Sequence, residues 1–203
     1  QLARGSLITQ VKEQKNKDAD NQVVLDIIPY GRHYIDEDDI QSVVDVLRHG
    51  MLTQGPKVLE FEKKVANYVG VKYAVAVANG TAALHLASMV LGLSEGDEVI
   101  TSPNTFVATS NSILYVGAKP VFVDIDKQSL NIDIDKIEQT ILDSENIKAI
   151  FPVHFGGLPC NMRRVKQLAN KYNLAIVEDA SHALGATYDD GSKVGSYKYS
   201  DMT

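Results

Sequence analysis

The sequence holds 203 residues with 44% hydrophobic and 23% charged side chains and a net charge of −6, a profile of folded globular chains that excludes disorder throughout. It has no long basic run, which argues against a nucleic-acid partner, and no apolar stretch near the ~18 residues a membrane helix needs. Its single cysteine, Cys160, rules out an internal disulfide, makes a cysteine-built zinc site improbable, and fits a reducing, cytoplasmic setting.

Residues 1–26 read as a leader or linker. The run VKEQKNKDADNQ within them is polar and charged, can bury little, and is expected to be disordered. The N-terminus lacks the apolar core of a secretory signal. The chain opens on Gln1 and closes on Tyr199-Ser200-Asp201-Met202-Thr203 without a helix stop, so a fragment of a longer protein is expected.

From residue 27 the pattern changes, and residues 27–203 read as an N-terminal arm followed by most of one large domain. Asp36 can cap a helix through IDEDDIQSVVDVLRHG, with Ile40, Val43, Val44 and Leu47 as its apolar face and acids in its first turn. Gly50 is placed to end it. Pro56 opens a second helix that closes at Gly70, with Leu59, Phe61, Val65, Ala66 and Val69 expected on its buried side. Strands and helices then alternate. Strands are expected at 73–77, 98–101, 120–124, 148–153 and 174–178, and helices at 81–91, 105–116, 133–142 and 162–172. That alternation predicts βαβ units, an α/β fold and a mostly parallel sheet whose strands are apolar because both faces are covered. Ligands bind beyond the C-terminal ends of such strands.

Four segments stand at those ends. Asn79-Gly80-Thr81-Ala82-Ala83 opens a helix directly after a strand. The exposed amides of Thr81 and Ala82, with the Thr81 hydroxyl, can hold a phosphate, although a simple helix cap reads the same way. In Thr101-Ser102-Pro103-Asn104-Thr105-Phe106, the Phe106 ring either stacks on a flat heteroaromatic ligand or belongs to the core. In Val177-Glu178-Asp179-Ala180-Ser181-His182, an acid at the sheet edge can hold a pyridinium nitrogen protonated, or it caps the next helix. His182 can reach a ring hydroxyl or satisfy backbone groups. In Pro152-Val153-His154-Phe155-Gly156-Gly157, His154 reads as structural and the two glycines permit a tight turn. Cys160 reads as a small buried hydrophobe. A phosphate cradle, a ring stacker and a ring-nitrogen acid on one edge match a phosphorylated pyridine cofactor. No GxGxxG follows a strand, which argues against a nicotinamide-binding fold.

The runs NGTAALHLA, TSPNTFVATSNSILYVGAKPVFVDID, PVHFGG and VEDASHALGA, with PYGRHYIDEDDIQSVVDVLRHGMLTQGPKVLEFEKKVANYVG before them, resemble the DegT/DnrJ/EryC1/StrS aminotransferases over about residues 27–203. Within that family, LTQGP, VHFGG, DASHALGA and KVGSYKYSDMT look closest to the UDP-4-amino-4,6-dideoxy-N-acetyl-β-L-altrosamine transaminases of pseudaminic acid synthesis. The resemblance implies the pyridoxal-phosphate (PLP) transferase fold of type I, aspartate aminotransferase-like, truncated here before its C-terminal domain. It implies a homodimer that uses glutamate to aminate a 4-keto nucleotide sugar. Thr81 and Ala82 would hold the cofactor phosphate, Phe106 would stack on the ring, Asp179 would pair with the ring nitrogen, and His182 would approach the ring hydroxyl. Thr53, Gln54 and Gly55 would lie near the nucleotide sugar.

The family's Schiff-base lysine follows the SDMT-like segment, past Thr203. Lys193 and Lys198 are the lysines after Asp179, and both precede that position, so they read as surface residues. The chain as given is then expected to lack catalytic activity. Two other readings stay open: a dehydratase of the same family with histidine in place of the lysine, and a non-catalytic binding or dimerisation module.

Overall fold

The computed structural model describes residues 33–203, so the expected leader at 1–26 and the first residues of the arm lie outside the described residues. Two compact units divide at Leu52/Thr53. In the first, helix α1 spans Glu37–His49. Asp36 caps it, accepting from the amides of Asp38 and Asp39 while the Asp39 carboxylate returns a bond to the Asp36 amide. This reciprocal box satisfies donors that the first turn of a helix leaves free. No residue of α1 is buried.

The second unit starts with α2, Pro56–Val69, entered through proline and left at Gly70 in the left-handed conformation. Its buried side runs through Ala66 and Val69. Leu59 and Phe61, expected inside, are exposed, because only the C-terminal half of the helix has neighbours to pack on among the described residues. The segment 73–77 also departs from expectation. It forms no strand, and Tyr73, Val75 and Val77 are exposed. Alternation alone does not make a strand; a partner must supply the ladder bonds. Here the Ala76 amide donates instead to the Glu62 carboxylate at 2.8 Å.

Beyond it run α3 (Gly80–Val90), β1 (Glu98–Thr101), α4 (Ala108–Leu114), β2 (Lys119–Phe122), α5 (Ile134–Leu142), β3 (Ile147–Phe151), α6 (Met162–Tyr172) and β4 (Ala175–Ile176). The strands pair in the order β2-β1-β3-β4, all parallel. β4 is prolonged by single parallel bridges, Val153 to Asp179 and Val177 to Met202. Residues 201–202 thus begin to line the far side of β4, with Glu178 N–H donating to the Met202 carbonyl at 2.9 Å.

Alternate side chains go to opposite faces of a strand, and two cores result. On one face Leu84 and Ala87 of α3 and Ala108 and Ile113 of α4 pack on Val99, Phe151 and Val177. On the other, Ile137 and Ile141 of α5 and Val165 and Leu168 of α6 pack on Ile100, Ile150 and Ile176. β2 departs from the expected all-apolar burial, because Lys119 and Phe122 at its ends are exposed. With nothing paired on its outer side among the described residues, it behaves as an edge strand.

Candidate active site

The pleat of β4 separates its two terminal acids. Ile176 and Glu178 face α5 and α6, and Val177 and Asp179 face α3 and α4. Asp179 therefore emerges at the C-terminal edge of the sheet on the side where α3 begins, whereas Glu178 turns into the opposite core.

Asp179 is buried, and its carboxylate is held from two directions. The Thr109 hydroxyl, from the first turn of α4, donates to Oδ2 at 2.5 Å. The Ser181 amide and hydroxyl donate to Oδ1 at 3.2 and 2.7 Å. A carboxylate offers about four acceptor positions, so three are in use and one is free for a ligand.

The α3 terminus reaches the same place. A Cβ built on Gly80 would lie 3.5 Å from the Ser181 hydroxyl, so the opening of α3 stands against the residue that braces Asp179. Asn79 caps the helix by accepting from the Ala82 amide at 2.9 Å. The amides that lack an intrahelical acceptor are those of Gly80 and Thr81. They form the positive end of an eleven-residue helix, which suits an anion. The Ala82 amide, expected among the phosphate donors, is occupied by Asn79 in this state.

Phe106 stands in the loop after β1 and is 73% exposed. It is not a core residue. Its carbonyl accepts from the Thr109 amide at 3.2 Å, so the same threonine connects the Phe106 loop to Asp179. The expected helix over 105–116 starts only at Ala108, which leaves Thr105, Phe106 and Val107 in that loop.

His182 is exposed, with its ring 6.4 Å from that of Phe155 and edge-on to it. Phe155–Gly157 form one 3₁₀ turn after β3. Gly157, at φ +86°, brings that turn so close that an added Cβ would stand 2.9 Å from the His182 carbonyl oxygen. Asn131, buried in the loop before α5, braces the same turn, donating to the Leu158 carbonyl at 2.9 Å and accepting from the Phe155 amide at 3.0 Å.

Thr53 and Gln54 are exposed, Gln54 at φ +49°, and Gly55 caps α2. No hydrogen bond among the described residues joins this segment to Asp179. Lys193 donates to the Tyr68 carbonyl at 2.7 Å and lies over the Tyr68 ring, so it caps the end of α2. Lys198 is paired with Asp190. Both are thus engaged with partners other than Asp179.

Glu178 gathers a network the sequence did not reveal. His154 Nδ1 accepts from the Cys160 amide at 3.1 Å, so the ring proton sits on Nε2, which donates to Glu178 at 2.6 Å. Tyr188 adds its hydroxyl at 2.6 Å, and Ser200 donates to the other carboxylate oxygen. Burial opposes ionisation of Glu178, but the bonds from His154, Ser200 and Tyr188 outweigh it and hold the carboxyl below its ordinary range. Burial pushes the Cys160 thiol up to about 12, with the Glu178 charge adding to it. Cys160 is an inert core thiol. Among the described residues no group of His, Cys, Asp and Glu could hold a metal, and no helix is long and apolar enough to cross a membrane.

A ring nitrogen facing the free acceptor of Asp179, and a phosphate at the first amides of α3, are both within what this edge provides. The matched family model describes the DegT/DnrJ/EryC1/StrS aminotransferase family and covers residues 33–202. The chain belongs to this family. It is 48% identical over 161 residues to the spore coat polysaccharide biosynthesis protein SpsC of Bacillus subtilis, covering 79% of this chain and 41% of that protein. It is 44% identical over 163 residues to the UDP-4-amino-4-deoxy-L-arabinose–oxoglutarate aminotransferase of Shewanella sediminis, covering 80% of this chain and 42% of that one. Among solved structures, Spr1654 of Streptococcus pneumoniae in its PLP form matches with a TM-score of 0.78 at 36% identity, over 86% of this chain and 47% of that one. The chain thus spans less than half the length of these DegT-family relatives. Its parallel sheet flanked by helices is the fold type I architecture expected from the sequence, over part of its extent.

Proposed function

We propose that the protein to which this chain belongs is a PLP-dependent aminotransferase that moves an amino group from glutamate to a 4-keto nucleotide sugar for surface polysaccharide or glycan synthesis. The observation that carries the reading is the placement of Asp179. It is a buried carboxylate at the C-terminal edge of a parallel sheet, braced by Thr109 and Ser181, beside the open amides of α3. The family and the relatives named for sugar and polysaccharide biosynthesis support the substrate class.

PLP when bound supplies an electron sink that stabilises negative charge at the carbon next to the transferred nitrogen. The roles of this chain's residues are positional and electrostatic. Gly80 and Thr81 hold the phosphate, with the Thr81 side chain beside them. Ala82 joins that set if Asn79 yields its bond. Phe106 covers one face of the ring and excludes water from it. Asp179 keeps a proton on the ring nitrogen, and His182 approaches the ring hydroxyl. Thr53, Gln54 and Gly55 contribute to the nucleotide-sugar side. The active unit is a homodimer, and its sugar is of the 4-amino-4,6-dideoxy-N-acetyl-altrosamine class, which the LTQGP and KVGSYKYSDMT runs favour.

Asp179→Asn tests the reading in the full-length protein. It keeps the shape of the side chain but removes the charge that holds the nitrogen proton. Turnover of glutamate with a 4-keto sugar nucleotide should fall by orders of magnitude while some PLP binding survives. Near-normal turnover would refute the assignment.

A further inference from the structure

A carboxylate that serves a ring nitrogen must be aimed as well as charged. In this chain one of the two carboxylate oxygens of Asp179, Oδ2, is held by a single hydroxyl. Thr109 is fully buried in the first turn of α4. Its Oγ1 lies 2.5 Å from Asp179 Oδ2, 2.7 Å from the Thr105 hydroxyl, and 3.3 Å from the Phe106 carbonyl. A hydroxyl has a single proton. Of its acceptors the carboxylate is both the nearest and the charged one, so the proton goes to Asp179. The Thr105 hydroxyl then donates to Thr109. The result is a directed chain, Thr105 to Thr109 to Asp179, that leaves the remaining acceptor position of Asp179 for a ligand. Thr105 belongs to the loop that carries Phe106, and the Thr109 amide bonds the Phe106 carbonyl, so one buried residue joins the acid at the end of β4 to the loop of the exposed ring after β1.

We infer that Thr109 is a positioning residue for the cofactor: it orients the Asp179 carboxylate toward the ring nitrogen and ties that orientation to the Phe106 loop. This rests on the reading of Asp179 given above. Ser181 does not duplicate the role, because it grips the other oxygen from the neighbouring turn of the same strand end. With Thr109 alone removed, Oδ2 has no donor among the described residues, and the carboxylate is held only at Oδ1 by Ser181.

The test uses the full-length protein in three variants. Thr109→Val has nearly the same shape and lacks the hydroxyl, Thr109→Ser retains it, and Asp179→Asn serves as the reference. Two quantities are read besides turnover: the dissociation constant of PLP from the apoprotein, and the absorption band of the bound cofactor, which responds to the state of the ring nitrogen. Thr109→Val should weaken PLP binding by about ten-fold or more and move the band in the same direction as Asp179→Asn. Thr109→Ser should restore both. If Asp179→Asn alters the two readings and Thr109→Val leaves them at the parent values, the role of Thr109 is overturned while that of Asp179 stands. If Asp179→Asn itself leaves them unchanged, both fall together. Should Thr109→Val fail to fold, Thr105→Val decides. Thr105 is only half-buried, and its loss frees Thr109 to turn from the carboxylate, so a smaller change of the same sign is expected and no change overturns the inference.

Discussion

At the level of single residues, the clearest constraint is a steric one. Gly157 has a positive φ, and its missing Cβ is what allows the turn after β3 to lie against the backbone carbonyl of His182. Gly157→Ala places a methyl 2.9 Å from an oxygen that cannot swing aside. A loss of roughly 1–3 kcal/mol is expected, as for other overpacked sites. Its neighbour Gly156 has φ +60° with open space around it, so Gly156→Ala should cost only the backbone strain, about 1 kcal/mol. Denaturant midpoints of the two variants, compared at unchanged slope, measure the difference. The PVHFGG run showed from its glycines alone that a tight turn was present. Which glycine was indispensable depended on where His182 came to rest.

Among the elements, the helix starts are where sequence and structure agree most closely. Asp36, Pro56, Asn79 and Asp133 each begin a helix where their chemistry says they should. The predicted bounds of α6 coincide with the observed Met162–Tyr172. Caps act over three or four residues, so local sequence is enough to read them. Asn79 has a double position, since it caps α3 while standing beside the amides proposed for the phosphate. Asn79→Ala should destabilise the protein by about 1 kcal/mol through loss of the bond to the Ala82 amide, detectable by chemical denaturation. Helix α4 shows the limit of local reading. Its start at Ala108 rather than residue 105 is tied to the bonds that Thr109 makes to Asp179 and Phe106. A signal was available: Thr109, Ser110 and Ser112 crowd a helix that is buried, and buried hydroxyls must find partners.

For the molecule as a whole, Glu178 is the point where distant segments meet. Its carboxylate joins His154 after β3, Tyr188 in the following loop, and Ser200 near Thr203. Its folded pKa is lowered, burial being outweighed by those bonds. Its contribution to stability is therefore present in full above the unfolded value of about 4.3 and is lost as the pH falls from there through the folded value. Glu178→Gln removes the titration and should flatten the acid limb of the stability curve. Near neutral pH it should destabilise by roughly 1–3 kcal/mol, because a charge-assisted acceptor becomes an amide among donors. Denaturation of the full-length protein at a series of pH values between 3 and 8 checks both parts. An acid limb as steep as the parent's would show that Glu178 does not set it.

The alternation of apolar runs with capped helices determined by itself that this is a parallel α/β sheet and that Thr101–Phe106 and Val177–His182 stand at the C-terminal ends of its strands. These are consequences of period, propensity and turn chemistry, all of them local. The tertiary structure decided what depends on partners. It left 73–77 without a ladder, exposed Leu59 and Phe61, and turned Lys193 to the end of α2. It also divided the adjacent acids Glu178 and Asp179 between two faces. The pleat fixes that they must point opposite ways, but only the packing of α3 and α4 on one side and α5 and α6 on the other makes Asp179 the acid of the proposed site and Glu178 the acid of the core.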